Sequence, residues 1–580
     1  MRKLVISSVL ALSLLGLSAC KEKDQNAFET HIELIQNAES RAEGFGGLQR
    51  LTKSIAASDN EERAKEFGTK VIPIFESIWD EAPEFRPQML EMTRDMARPE
   101  AAPLWNRAIV LDGSAETRKG ALLALQGIRT AHATGSVDAI IEQLNKTIDD
   151  PSKDKGDLEG QMRLEYAKTL GELGDPKAVD VLIKTLEQAP DAQPTSVHRE
   201  AAKALGDIGD PRAVDALLIA PLRVPDQQST TDVFNRSMLA LVSIGPDAVP
   251  GALKMFRGEN KAILEAAAQQ GVDDTGVKTI AAKFLGALGD PRATEDLVAF
   301  MPKEDCLDPE VEDPAAGGLR MVIARQIGFL GDEKAIDALC SCSLSSHNHD
   351  MFEVAQAMGW IGGDKAVECL AKVITEGEYS LDAVASSDFK YEIRWDAARF
   401  GVMAASPDNI GKIETALAAN KDPKVVKEVE KWDAAFALVN ECKKDAQCYA
   451  KVMSDATKEW YVREKALMEV SRLAKGDVAL AEDVAKAFKI RNPDARVTAA
   501  IMVRRMLDGK KCQACADAFE AVLKGEKGTM DAKMQLGVLK ARQAIAALSE
   551  KKGGGGGGGG GEAAAAGGDE KAAGDEKAGG

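Results

Sequence analysis

Along most of the chain, apolar residues recur three and four positions apart, which gathers them on one face of an α-helix, and short polar turns end each run. Strand-like alternation is scarce. The runs are also copies of one another. Leu170-Gly171-Glu172-Leu173-Gly174-Asp175-Pro176-Lys177-Ala178-Val179 returns as Leu205-Gly206-Asp207-Ile208-Gly209-Asp210-Pro211-Arg212-Ala213-Val214, and again as Leu285-Gly286-Ala287-Leu288-Gly289-Asp290-Pro291-Arg292-Ala293-Thr294. A period of about 35 residues marks stacked helix pairs, none of which can bury its apolar face except against its neighbours. The pattern therefore predicts an all-α fold, an α-solenoid built as a superhelical stack of antiparallel helix pairs.

Each copy carries its own punctuation. An Ala-rich helix stops at Gly174, Gly209 or Gly289, where a left-handed residue closes the last turn. Asp175, Asp210 or Asp290 then offers a carboxylate to the free N–H groups of the next helix, and Pro176, Pro211 or Pro291 takes its first position, where no N–H is needed. Gly171, Gly206 and Gly286, one turn before the stop, are expected where two helices approach closely. Looser copies follow in Ser243-Ile244-Gly245-Pro246-Asp247, Gly328-Phe329-Leu330-Gly331-Asp332 and Gly359-Trp360-Ile361-Gly362-Gly363-Asp364. Trp395-Asp396-Ala397-Ala398 recurs as Trp432-Asp433-Ala434-Ala435, and both tryptophans are read as packing residues.

Ten to thirteen helix pairs result, well formed over 151–375 and divergent over 27–150 and 376–550. These residues resemble HEAT-like repeats of the short bacterial kind first associated with phycobilin lyases, most strongly over 160–375. The resemblance implies an armadillo-like helical architecture. Its members include scaffolds, transport adaptors and a few enzymes, so it implies no particular activity.

The ends differ in kind from the repeats. Arg2 and Lys3 precede an apolar run from Leu4 to Leu17 that is short for a membrane span, and the run ends in Leu17-Ser18-Ala19-Cys20. This resembles a bacterial lipoprotein signal, which implies removal of 1–19, lipidation (palmitate) of Cys20, and a short tether over 20–26. Lys21 stands where an inner-membrane retention signal would place Asp, so the expected address is the outer membrane, facing the periplasm. At the other end, nine glycines from Gly553 open a Gly/Ala-rich acidic tail, 551–580, whose composition cannot bury a core.

Charge narrows the partners. Removing 1–19 takes the formal charge from −18 to −20. Nucleic acid and anionic headgroups both require phosphate neutralisation, so neither is expected to bind this surface. Membrane contact is expected through the N-terminal lipid only.

Eight cysteines follow Cys20, an even number suited to disulfide bonds in an oxidising compartment. Cys442 and Cys448 flank one short turn. Cys512 and Cys515 form a C-x-x-C without the strand–helix context of a redox site, so a structural bond is expected. Cys306, Cys340, Cys342 and Cys369 allow three pairings, which spacing does not choose among.

Chemistry is thin elsewhere. Cys340, Cys342, His347 and His349 have ligand types suited to zinc. Against that, Cys340 falls on a repeat slot filled elsewhere by Ile183 or Leu218, and the histidines sit in a polar turn. A metal-binding or enzymatic module at 340–350 is therefore the alternative reading, and no metal or cofactor is expected. No Walker loop, H-E-x-x-H or G-x-S-x-G motif occurs, and none of the five histidines precedes a glutamate, the pair used by the HEAT-like iron hydroxylase of the eukaryotic translation factor. Catalysis is not expected.

A surface is the better candidate. Aligning Ala178, Ala213, Ala293, Ala335 and Ala366 leaves Asp180, Asp215, Glu295, Asp337 and Glu368 exposed, one carboxylate on each second helix. Second helices of resembling folds line the concave face, so this acidic row is the expected contact for a protein or peptide partner. An acid near a helix N-terminus is also favoured by the helix dipole alone. The sequence thus reads as a lipid-anchored, non-catalytic scaffold of the bacterial envelope that binds an envelope protein or peptide. A purely structural spacer is the remaining alternative.

Overall fold

The computed structural model describes residues 24–111, 114–149, 160–224, 232–301, 314–343, 349–376, 393–419, 423–487, 492–507 and 510–524. Cys20, Cys306, His347 and the 551–580 tail lie outside them. The described residues form helices and turns and no strand.

The repeat punctuation works as local chemistry demands. Gly174, Gly209 and Gly289 take φ of 69°, 72° and 63°, the left-handed region that glycine enters without strain. The carboxylates of Asp175, Asp210 and Asp290 accept from the backbone N–H of Lys177, Arg212 and Arg292 at 3.0, 2.9 and 2.9 Å. The proline then starts a single 3-10 turn, Pro176–Ala178 in the first copy, before the α-helix Val179–Leu186 begins. Asp332 makes the same cap without a following proline, accepting from Lys334 N–H at 3.1 Å. The carboxylate, more than the proline, is what the junction requires.

The first helices, Gln161–Leu173, Thr195–Ile208, Val233–Ile244 and Asp274–Leu288, stack side by side, with the second helices in a separate layer. The glycine one turn before each stop faces the first helix of the following repeat. A Cβ on Gly171 would lie 2.7 Å from Ala204 Cα, and one on Gly206 would lie 2.7 Å from Ala240 Cα. Second helices are instead bridged by long ionic side chains, such as Lys184 to Asp149 and Arg212 to Asp180. A stack tight in one layer and spaced by ion pairs in the other bends toward the tight layer. The first helices therefore line the inside of the curve, and the expectation that the second helices do so is corrected.

From residue 314 onward the curve closes. The helices Trp460–Leu473 and Pro493–Leu507 return to the inner face of Pro314–Leu330, His349–Ile361 and Ile393–Ala404. What seats them is the set of unpaired carbonyls at helix C-termini. Arg505 donates to Gly328 O at 2.6 Å and to Trp360 O, and Arg504 donates to Phe329 O at 3.1 Å. Arg472 donates to Met403, Ala404 and Ala405 carbonyls at 2.6, 2.8 and 2.8 Å. Three successive helix ends are thus capped by cations from residues far along the chain. Trp360 Nε1 adds a bond to Thr498 Oγ1 at 3.1 Å across the interior.

Candidate interaction surfaces

The five carboxylates of the expected acidic row are all exposed on second helices, which now places them on the outside of the curve. Three have a cation from the following repeat. Arg212 meets Asp180 at 2.9 Å, Lys365 meets Asp337 at 2.7 Å, and Lys412 meets Glu368 at 2.6 Å, where the bond raises the Lys412 pKa. Asp138–Lys177 (3.2 Å) and Asp408–Lys444 (2.9 Å) repeat the arrangement. Asp215 has no such partner among the described residues, because the next copy reads Pro246-Asp247 where others place Lys or Arg after the proline. Glu295 also has no paired cation, whereas its neighbour Asp296 accepts from Arg257 at 2.7 and 2.8 Å. The row is therefore mainly a chain of repeat-to-repeat ion pairs, with two open carboxylates at Asp215 and Glu295. Exposed pairs of this kind align neighbours more than they stabilise them.

The cysteines are structural in the described residues. Cys340 and Cys369 are bonded at 2.04 Å, joining the consecutive second helices Ile336–Ser343 and Asp364–Glu376. A sulfur so bonded is no thiolate ligand, which removes Cys340 from the zinc set with Cys342, His347 and His349. The side chains of Cys342 and His349 lie outside the described residues, and no His/Cys/Asp/Glu group among those described could hold a metal. Cys442–Cys448 and Cys512–Cys515 are also bonded. Cys512 and Cys515 are buried, which leaves an incoming thiolate no line of attack on the C-x-x-C.

The inner face carries a second row that periodicity alone did not single out. Counting back from each stop glycine, residues two, six and nine positions earlier form one stripe at i, i+3 and i+7 spacing. It reads Glu165, Lys168, Glu172; then Glu200, Lys203, Asp207; then Arg236, Leu239, Ser243; then Ile280, Lys283, Ala287; then Val322, Arg325, Phe329. The carboxylates of the first two sets are paired: Arg129 of the helix Ala115–Ala131 meets Glu165 at 2.7 Å, and Lys203 meets Asp207 at 2.5 Å. Glu200 is half-buried here; burial raises its pKa, against the pull of Lys203 and Arg236. In the next three sets the carboxylates vanish and apolar side chains enter. Phe234 stacks on Phe284 with centroids 5.3 Å apart, and Lys283 Nζ lies 5.7 Å above the Phe234 ring.

From Phe329 onward the same stripe is covered by the chain itself. Phe329 and Trp360, two before their stop glycines, are buried. The returning helices bring Lys465 and Glu469 into the interior and leave Arg505 half-buried beside them, and none of the three is legible as a core residue in the sequence. Burial, with Arg472 adding to it, pushes Arg505 down to about 10. Burial likewise pushes Lys465 down to about 8, against Glu469 at 2.6 Å. Burial works to raise Glu469, but Lys465 and Arg472 outweigh it and hold the carboxyl below its usual range. Trp432 is buried, whereas Trp395, at the first turn of its helix, keeps a third of its surface exposed.

Fold and surface together define an all-α solenoid of HEAT-like repeats with an open array followed by a self-closed coil. A family model for HEAT repeats matches residues 155–223. Solved structures similar to the chain include human deoxyhypusine hydroxylase in complex with glycerol, at 18% identity, covering 57% of this chain and 94% of that one with a TM-score of 0.19. An engineered protein matches at 16% identity over 70% of this chain and 99% of its own, with a TM-score of 0.21. No curated protein matches the sequence.

Proposed function

We propose that the protein is a non-catalytic scaffold of the bacterial cell envelope, lipid-anchored at Cys20 to the outer membrane, that binds a protein or peptide partner along its curved surface. One observation carries the partner-binding part of this reading. Among the described residues, the inner stripe is covered by the chain's own helices at Phe329 and Trp360 but stays at least partly accessible from Glu165 to Lys283. The anchor rests on Leu17-Ser18-Ala19-Cys20. Among the described residues, the segment long and apolar enough to cross a membrane is Val233–Phe256, which is two helices of the array meeting at Gly245 and has 56% of its most apolar 18-residue stretch buried.

The test is mild crosslinking in cells of the tagged full-length chain, with mass spectrometry of what co-purifies. D180K/D215K/E295K and C20A are run beside it. A near-stoichiometric partner, with the C20A chain lost from the membrane fraction, is the expected result. A partner that survives the triple substitution places contact on the inner face, and one that is lost returns it to the outer row. No partner in any sample refutes the scaffold.

A further inference from the structure

We infer that the inner stripe over the helices Val233–Ile244 and Asp274–Leu288, continuing to Val322 and Arg325 of Pro314–Leu330 but not to its covered end at Phe329, is a docking surface for an acidic segment of a partner protein that also carries apolar residues. The inference rests on the scaffold reading and gives its partner a chemistry opposite to that expected of the outer row.

The argument starts from charge. The chain has 92 acidic and 74 basic side chains, yet across these three helices the stripe positions hold three cations, Arg236, Lys283 and Arg325, and no carboxylate. Arg325 already meets Glu353 at 2.9 Å. Arg236 and Lys283 have no ion pair among the described residues; Arg236 only feels Glu200 at a distance, and Lys283 lies over the Phe234 ring. Two cations on a stretch of stripe that holds no carboxylate are the complement of a carboxylate-bearing ligand.

The remaining stripe positions give the ligand its second property. Leu239, Ile280 and Val322 are half-buried and packed against the core, with part of each side chain left on the surface. The molecule also supplies its own precedent. The continuation of this stripe, at Phe329 and Trp360, is where the helix Pro493–Leu507 seats, placing apolar residues between polar bonds to helix ends. The face is thus of a kind that receives helices, and its upstream stretch differs in being cationic. A nucleic acid fits poorly, because its affinity grows with the number of phosphates neutralised and only two unpaired cations are offered.

Site-specific photocrosslinking in cells, on the full chain, tests this. A photoreactive phenylalanine analogue replaces Leu239 on the inner stripe or, in a second strain, Asp215 on the outer row, and the captured peptide is sequenced by mass spectrometry. The expected result is a crosslink at 239 to a partner segment of net negative charge. Its yield should fall roughly tenfold in R236E/K283E and less in R236Q/K283Q, as for loss of complementary charge. Thermal midpoints of both variants confirm that the fold survives. A captured segment that is neutral or basic, a yield indifferent to charge reversal, capture of lipid, of the chain's own residues 551–580 or of a second copy, or no crosslink at 239, each overturns the inference. Capture at 215 without capture at 239 leaves the scaffold reading standing and removes only this surface. Silence at both positions removes both.

Discussion

Replacing Arg505 by Met is the most direct trial of how the coil is closed. The Arg505 side chain is half-buried and joins two helix ends through Gly328 O and Trp360 O. A hydrogen bond from a charged group contributes about 1.5–3 kcal/mol, and an orphaned buried carbonyl costs a further 1–3. Against this stands the penalty of burying the charge. A pKa held at about 10 in place of 12.5 corresponds to roughly 3 kcal/mol, which the substitution recovers. The net expectation is a loss of about 2–4 kcal/mol, confined to the closed coil. Native-state hydrogen exchange reads it locally. Amides of Gly331 and Gly362, which close the last turns of the two capped helices, should exchange ~30- to ~1000-fold faster, while those of Thr195–Ile208 should not change. Equal acceleration in both regions would mean that closure is not what Arg505 secures. A more protected coil would mean that desolvation outweighs the bonds, as it does for some buried ion pairs.

Other consequences are as specific. Lys465 titrates at about 8 when folded against 10.5 unfolded, so the unfolded chain binds the proton more tightly, and stability should rise as pH climbs from about 8 to 10.5. K465M should lack that rise in urea titrations across the window, and an unchanged pH profile would refute the buried ammonium. G206A puts a Cβ 2.7 Å from Ala240 Cα, where backbone must give way, and should cost about 1–3 kcal/mol by calorimetry despite alanine's better helix propensity. C340S/C369S opens a loop whose ends are 29 residues apart, and chain-entropy arguments give a loss of about 3–4 kcal/mol, seen as a lower urea midpoint under oxidising conditions.

Much of this was legible in the sequence, for identifiable physical reasons. Stop glycine, capping aspartate and starting proline are local chemistry, and local chemistry repeats wherever its residues do. The all-α solenoid follows from that alone. What stayed hidden depends on partners distant in sequence. Asp180 looks like an open carboxylate until Arg212, one repeat on, is seen to reach it. The inside of the curve was assigned to the wrong layer because the partner of Gly171 is Ala204 of the following first helix, a pairing that no single repeat discloses. Arg504 and Arg505 read as an ordinary basic helix end, yet they serve carbonyls about 175 residues upstream.

One register position ties these threads together. Two residues before each stop, the chain reads Glu172, Asp207, Ser243, Ala287, Phe329 and Trp360, passing from charged through small to aromatic. Each lies on the same stripe of an inner helix, so each meets whatever occupies the inside of the curve. Carboxylates there keep the interior hydrated, because burying an unpaired charge costs far more than any packing returns. Phe329 and Trp360 instead reward covering, and the helix Pro493–Leu507 covers them. Open array and closed coil are thus the same repeat with one position changed in polarity. The crossing point falls at Ser243 and Ala287, beside Arg236 and Lys283. There the stripe is apolar enough to welcome a helix and cationic enough to prefer an acidic one, and the chain supplies none of its own among the described residues.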